Sequence, residues 1–498
     1  MLMKLMSLSV SDCWCQSELR ITPAPVHYCD ANHRLITDGS GKLRSAGLLV
    51  IEDASSMYKA LSAPLVVQLE VTERCPNSCV HCYNFWRHGE QTSSRLASLS
   101  LDDVDRIMDE IERSKVFALV ITGGEPFLNA PVIFKILDRA ETNHMLRVTI
   151  NSSLLGMTDD HALRLSKYGC FRSVLTSILG PRSELHDRIV GHPGAFNHTT
   201  KGIELLRKYQ IPVSVNMVVS KLNQDHIRET AALCKSLGVS IFNATRATAP
   251  SNCADFTAHS LGLDEFRNYL TALGEAGSEC GVPVGALTVY PLCGVKSVRQ
   301  HPMTSGRRCM AGVTVAVISA SGLVRACTHI SQSFGNILNE SLETLWGRME
   351  HWRDGSLIPN SCRNCAALAI CGGGCRADAF VVNGSLNADD PLVSLPDVEF
   401  AITEYVASIT PPNRVELPER LMLNPELRTR PEPFGSSCFL GNQSAGMFNQ
   451  DTTNFLSDDL LRSGRSLEEV GEIVPLEFLK ELVDKGILVN ASSKMACA

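Results

Sequence analysis

Residues 65–85 read LVVQLEVTERCPNSCVHCYNF. The first seven are apolar except for Gln68 and Glu70, the composition of a strand buried in a sheet. Three thiols follow within one loop, spaced Cys75-x3-Cys79-x2-Cys82. Ligands of parallel α/β sheets gather where strands end, so this loop marks both a fold and a site.

The segments that follow repeat the pattern. Ser100 and Asp103 form a capping-box pair, opening a helix that places Leu101, Val104, Ile107, Met108 and Ile111 on one face. Then come strand FALVIT (117–122), a helix through 130–142, strand LRVTIN (146–151) and a helix around 159–168. Strand RSVLTSI (172–178), a helix near 195–209, strand VSVNMVV (213–219), a helix near 223–237 and strand VSIFNA (239–244) complete the series. Six strand–helix units predict parallel strands with right-handed crossovers: an α/β fold with a partial (β/α)6 TIM-like barrel over 65–250. Residues 1–64, with Cys13, Cys15 and Cys29, read as a lead-in.

Composition narrows the chemistry. With 498 residues the chain holds two to four domains, and 44% hydrophobic with 20% charged residues is ordinary for a globular protein. A net charge of −7 gives no reason to expect a nucleic-acid groove, and no apolar run reaches the ~20 residues of a membrane span. The cytoplasm is the expected compartment. Nineteen cysteines, grouped tightly, point to metal or cluster ligation in a chain too large to need disulfide staples.

A [4Fe–4S] cube takes four cysteines, so three in one loop leave one iron open to a chelating amino group and carboxylate. Closed zinc sites use four ligands in paired units, and His81, between Cys79 and Cys82, would strain a single tetrahedron. The loop resembles the signature of the radical S-adenosylmethionine (SAM) superfamily, and the likeness continues through TGGEP (Thr122–Pro126) after the second strand and HDRIVG (186–191). It implies a SAM-binding [4Fe–4S] cluster on Cys75, Cys79 and Cys82, and SAM contacts from Gly123, Gly124, Glu125, Asn151, Ser152, Ser177 and Asn216. The family's acid after the fourth strand is absent: Ser177-Ile178-Leu179-Gly180 carries Leu179 in its place.

Residues 251–400 hold a second cysteine pattern: Cys309-x12-Gly322-x4-Cys327, then Cys362-x2-Cys365-x5-Cys371-x3-Cys375. This resembles the SPASM extension of radical SAM enzymes and implies up to two auxiliary [4Fe–4S] clusters. One would use Cys309, Cys327 and Cys375 with Cys293; the other would use Cys362, Cys365 and Cys371. The last cysteine expected near Val393 is missing, leaving an open iron, a carboxylate such as Asp389 or Asp390, a distant cysteine, or no second cluster.

Six prolines between Pro411 and Pro433 mark a linker. Beyond it, strand-like pieces lead into GRSLEEVGEIV and a helix with Leu476, Leu479, Leu482 and Val483 on one stripe, stopped at Gly486. Residues 411–490 resemble the small α+β winged-helix domain that recognises precursor peptides beside such enzymes. The implied function is a peptide maturase that cleaves SAM to a 5′-deoxyadenosyl radical and takes hydrogen from a ribosomally made precursor, with a flavodoxin- or ferredoxin-type electron donor. A radical SAM dehydrogenase of a small molecule or protein side chain is the alternative, and a non-enzymatic iron–sulfur scaffold a third reading.

Overall fold

A computed structural model describes residues 60–84, 96–248, 254–304, 307–408, 416–441, 443–474 and 476–491. Most of the expected lead-in, with its cysteines, lies outside them, as does part of the proline-rich linker.

One ten-stranded sheet organises the chain. Its strands are β1 (Val66–Glu70), β2 (Ala118–Thr122), β3 (Arg147–Asn151), β4 (Phe171–Ser177), β5 (Val213–Val219), β6 (Ile241–Arg246), β7 (Val284–Gly285), β8 (Val315–Ile318), β9 (Leu323–Arg325) and β10 (Ser333–Asn336). The order is β10-β9-β8-β1-β2-β3-β4-β5-β6-β7, with β1 to β7 parallel to their neighbours. The barrel therefore runs one strand beyond the six expected. The cysteine-rich extension also joins it directly: β8 lies parallel to β1 and carries the antiparallel β9 and β10.

Helices α1 (Leu101–Arg113), α2 (Ala130–Glu141), α3 (Asp159–Leu165), α4 (Ser183–Val190), α5 (Ala195–Lys208), α6 (Ile227–Ser236) and α7 (Leu263–Cys280) connect β1 to β7. The capping box at Ser100 and Asp103 forms. Val104, Ile107, Met108 and Ile111 are buried as expected, but Leu101 is exposed, because the first helical residue projects from the end of the stripe. Register sorts the strands into two faces. Leu69, Ile121, Ile150, Val174, Val215 and Phe242 join Ile107, Ile133 and Ile136 of the helices in one core. Gln68, Glu70, Thr122, Thr149, Asn151, Ser177, Asn216, Asn243 and Thr245 share the opposite, interior face. A parallel sheet covered on both sides is normally apolar on both, so this polar interior is set aside for something other than packing.

The extension is locked to the barrel by charge. Arg325 on β9 donates from Nη2 to both carboxylate oxygens of Glu70 at 2.6 Å, with both side chains buried. Its Nη1 donates to the carbonyls of Thr328 at 3.1 Å and Ile330 at 3.3 Å. Burial pushes the Glu70 carboxyl up, and the guanidinium pulls it back.

The C-terminal unit contains the sheet β12-β13-β14, from β12 (Arg428–Glu432), β13 (Gly435–Leu440) and β14 (Gln443–Asn449). A second sheet sets β11 (Arg420–Leu423) between β15 (Arg465–Ser466) and β16 (Leu488–Asn490). In the helix Leu476–Asp484, Leu479 and Leu482 are buried, whereas Leu476, at its first position, is exposed. This unit docks under the barrel, where the strands begin. Arg430 donates to the carbonyls of Ala63 at 2.7 Å and Pro64 at 3.0 Å, Arg428 donates to the Phe117 carbonyl at 2.9 Å, and Phe439 stacks on Phe117 at 4.3 Å. Among the described residues, no helix is long and apolar enough to cross a membrane.

Replacing Arg325 with Met strands the Glu70 carboxylate in the interior. A loss of about 3–5 kcal/mol in unfolding free energy is expected. Replacing both residues with apolar ones should recover much of it, as urea denaturation of the two variants would show.

Candidate active site

The three-cysteine loop leaves β1 at the end of the strand where the polar interior opens. Cys75, Cys79 and Cys82 are half-buried, and the Cys82 amide donates to the Cys79 carbonyl at 3.1 Å. The HDRIVG stretch holds the loop in place. Amides of Ser78 and Val80 donate to the carbonyls of Val190 and Ile189 at 2.8 and 3.1 Å. Gly191, at φ +64°, ends α4 where a Cβ would come 2.9 Å from the Ser78 carbonyl oxygen. Leu179 is fully buried with Ile189, Val190 and Ala195, and Cys79 and Val80 pack against this cluster. Leu179, at the position where the family resemblance implies an acid, is thus part of an apolar seat for the loop.

The GGEP turn braces the loop from the other side. Gly124 and Glu125 amides donate to the carbonyls of Thr72 and Arg74 at 2.6 and 2.8 Å. Added Cβ atoms on Gly123 and Gly124 would lie 2.4 and 2.2 Å from those same oxygens. Only glycine permits that approach. Glu125 is fully buried. Its Oε1 accepts from the Ser152 hydroxyl at 2.6 Å and the Phe127 amide at 3.1 Å; its Oε2 accepts from the Ser153 amide at 2.8 Å and from the Ser153 hydroxyl. Burial pushes this carboxyl up and these hydrogen bonds draw it down. Glu125 and Ser152 therefore shape the site by tying the turns after β2 and β3 together. Sequence reasoning missed Ser153, whose signal was the serine doublet directly after a strand.

Ser177 and Asn216 are paired across β4 and β5, and Asn216 is paired with Asn243 across β5 and β6, so they form a polar row on the interior face. The Thr245 hydroxyl donates to Asn216 Oδ1 at 2.8 Å. Asn151, at the end of β3, lies on the same face.

A ring contact joins the loop to the extension. Tyr83, directly after Cys82, stacks on His329 with centroids 4.7 Å apart, and His329 Nδ1 is 4.0 Å from Cys327 Sγ. Burial, with the nearby Arg325 charge, pushes the His329 imidazole down to about 4, so it is neutral at neutral pH. Neither residue was singled out from sequence, because a contact spanning 246 positions leaves no local trace.

The remaining cysteines fall into two sets. Cys309, Cys327 and Cys375 are electrostatic neighbours: Cys309 acts on both of the others, and burial first raises each of those thiols. Cys309 also lines a small cavity with Trp352, Ile358, Gly372 and Arg376. Cys293, expected with this set, lies instead beside Cys362, Cys365 and Cys371, because the chain after β7 turns toward residues 392–394. Cys170, in the turn before β4, Cys234, on α6, and Cys438, on β13, are buried apart from both sets.

Among the described residues, no three such side chains converge as ligands of a single ion do. A cube spreads its thiolates over separate irons, and the looser grouping here supplies the thiol donors it requires.

Residues 69–234 match the family described as the Radical SAM superfamily, and residues 309–366 match SPASM, an iron–sulfur cluster-binding domain. An AdoMet-dependent heme synthase from Methanosarcina barkeri (strain Fusaro / DSM 804) is 30% identical over 354 residues, covering 67% of this chain and 97% of the relative. The mycofactocin maturase MftC of Mycolicibacterium smegmatis (strain ATCC 700084 / mc(2)155) is 28% identical over 353 residues, covering 67% and 83%. The crystal structure of Streptococcus suis SuiB bound to precursor peptide SuiA shares the fold, with a TM-score of 0.52 at 17% identity over 66% of this chain and 75% of that one.

Gly124→Ala places a methyl carbon 2.2 Å from the Arg74 carbonyl oxygen. It is expected to cost about 1–3 kcal/mol and to lower the iron held by the Cys75 loop. Iron per chain after anaerobic reconstitution, beside a denaturation curve, checks both; an unchanged midpoint and iron content would mean that the two turns are not locked.

Proposed function

Because this chain belongs to the radical SAM superfamily and carries a SPASM segment, we propose that it is a peptide maturase, removing hydrogen from a ribosomally made precursor to form a cross-link or other modification. When bound, the cluster and SAM together supply one-electron cleavage of a carbon–sulfur bond, giving methionine and a 5′-deoxyadenosyl radical that takes a hydrogen atom. Cys75, Cys79 and Cys82 would hold that cluster. Gly123, Gly124 and Glu125 fix the height of the loop over the barrel mouth, and the Ser177, Asn216 and Asn243 row offers polar groups to SAM from the interior face. Cys309, Cys327 and Cys375 would hold an auxiliary cluster behind His329.

The observation that carries the peptide reading is the C-terminal unit. Among the described residues, β14 is an outer strand of its sheet, bonded to β13 alone, and its first three residues are exposed or half-buried. An open strand edge is what a leader peptide needs to add itself by main-chain hydrogen bonds. The named maturase and the peptide-bound fold neighbour agree with this reading. The unit sits where β1 begins and the cysteine loop sits where it ends. A spacer between leader and modified core must then cover at least the strand height, on the order of 17 Å or about five extended residues.

A second reading has its own support: a relative at 30% identity is a heme synthase. On that reading the substrate is a tetrapyrrole, a small molecule needing no leader. Its weakness is that 97% of that relative aligns within 67% of this chain, leaving about a third of the chain without a counterpart.

Coexpression with candidate precursor peptides, drawn from any short reading frames neighbouring the gene, followed by mass spectrometry, separates the two. A loss of two hydrogens per modification is expected, and it should vanish when Cys75, Cys79 and Cys82 are all Ala. Ala445→Pro, at the residue that the β13 register skips, should abolish peptide modification while 5′-deoxyadenosine still forms. An unmodified peptide alongside conversion of a tetrapyrrole would establish the second reading instead.

A further inference from the structure

The set Cys362, Cys365 and Cys371 lacks its expected downstream partner, since position 393 is valine. The fold puts another thiol there. After β7 the chain forms the short helix α8 (Leu292–Val295), which carries Cys293. The Leu292 amide donates to Cys371 Sγ at 3.3 Å, so the residue directly before Cys293 is bonded to a thiol of the set. On its other side, the Ser394 amide donates to Cys293 Sγ at 3.4 Å. The sulfur thus reaches the backbone one residue past Val393, the place where a downstream cysteine was expected.

This placement is built, not incidental. A Cβ on Gly294 would lie 2.5 Å from the Leu392 carbonyl oxygen, so α8 presses on the returning segment as closely as glycine allows. Arg267 on α7 donates to the carbonyls of Cys293 at 3.1 Å and Gly294 at 2.9 Å, and pairs with Asp397 at 2.7 Å. One guanidinium therefore fixes α8 against residues 392–397. Cys293 is buried, and Cys362 and Cys365 are among the charges its thiol senses.

The carboxylate alternatives are engaged elsewhere. Asp390 is buried and accepts from the Cys375 amide at 2.7 Å and the Leu392 amide at 2.8 Å. Asp389 accepts from the Ser361 hydroxyl.

We propose that Cys293 is the fourth thiolate of the Cys362, Cys365 and Cys371 set, so that an upstream linker cysteine closes a [4Fe–4S] site whose downstream ligand is missing. This rests on the SPASM segment binding clusters, not on the identity of the substrate. Four thiolates occupy all four corners of a cube and leave no iron for substrate. The shortage of ligands then passes to the Cys309, Cys327 and Cys375 set, which keeps three.

The test uses the full chain with Cys75, Cys79 and Cys82 replaced by Ala, reconstituted anaerobically and reduced with dithionite. Electron paramagnetic resonance signals are assigned by adding Cys371→Ala or Cys309→Ala to this background. Cys293→Ala is expected to abolish or reshape the signal that depends on Cys371, with a loss of up to about four irons per chain, and to leave the Cys309-dependent signal alone. Cys293→Ser, which keeps the side-chain volume, should retain a folded protein by circular dichroism and shift only the same signal. Three outcomes would overturn the assignment: both signals unchanged, a change confined to the Cys309-dependent signal, or no Cys371-dependent cluster in the parent. Because no readout uses peptide or SAM turnover, an error about the substrate would leave this result standing.

Discussion

The pairing of Glu70 with Arg325 spans 255 positions and fixes the relation between the two halves of the site. Glu70 ends β1, immediately before the cysteine loop, and Arg325 ends β9, two residues before Cys327. Taking two charges out of water costs several kcal/mol per ion, which only excellent geometry offsets. Here the guanidinium meets both carboxylate oxygens and spends its remaining reach on the carbonyls of the turn carrying Cys327. The pair specifies as much as it stabilises: a one-residue slip of β8 along β1 would turn β9 over and leave both charges buried alone.

Around that anchor the sheet divides its labour by parity. Each strand gives alternate residues to the helices and the rest to the interior, and the interior positions that end β1, β2, β3 and β4 are the polar Glu70, Thr122, Asn151 and Ser177. The turns after β2 and β3 and the end of α4 then act on the cysteine loop as braces, through backbone bonds and glycine contacts more than through side chains aimed into the site. This accounts for Leu179. With the loop seated on Ile189 and Val190, the position beneath it is buried, and an acid there would lie in apolar surroundings without a partner.

Much of this was legible in the sequence, and the reason is range. Strand and helix units, the capping box at Ser100 and the cysteine spacings are local patterns, set by residues within one or two turns of each other. The errors share the opposite cause. Leu101 and Leu476 fit a helical stripe, but each is the first residue of its helix, where no facing element covers it. The pairing of β8 with β1 joins segments some 250 residues apart, and the Leu292 amide, beside Cys293, meets Cys371 across 79. Val393 announced that a ligand was missing; only the fold could say which thiol lies nearby. The docking of Arg428 and Arg430 under the barrel floor was invisible for the same reason, since two arginines on a short strand resemble any solvated edge.

The three thiol groups follow one another through space as well as along the chain. Tyr83 leads from the first loop to His329 and Cys327; Cys375 stands at the end of CGGGC, whose first residue is Cys371; Cys371 meets Leu292 and the helix of Cys293. With Cys293 as the proposed fourth thiolate, the two three-thiol sets are linked through Tyr83 and His329, and the four-thiol set adjoins the second through CGGGC. Chemistry at an open iron requires access to reactants, which the mouth provides; a closed cluster can only pass electrons. With Cys293 in that proposed place, the order of ligation would separate bond-making from electron exit, and a cysteine in a linker would set it.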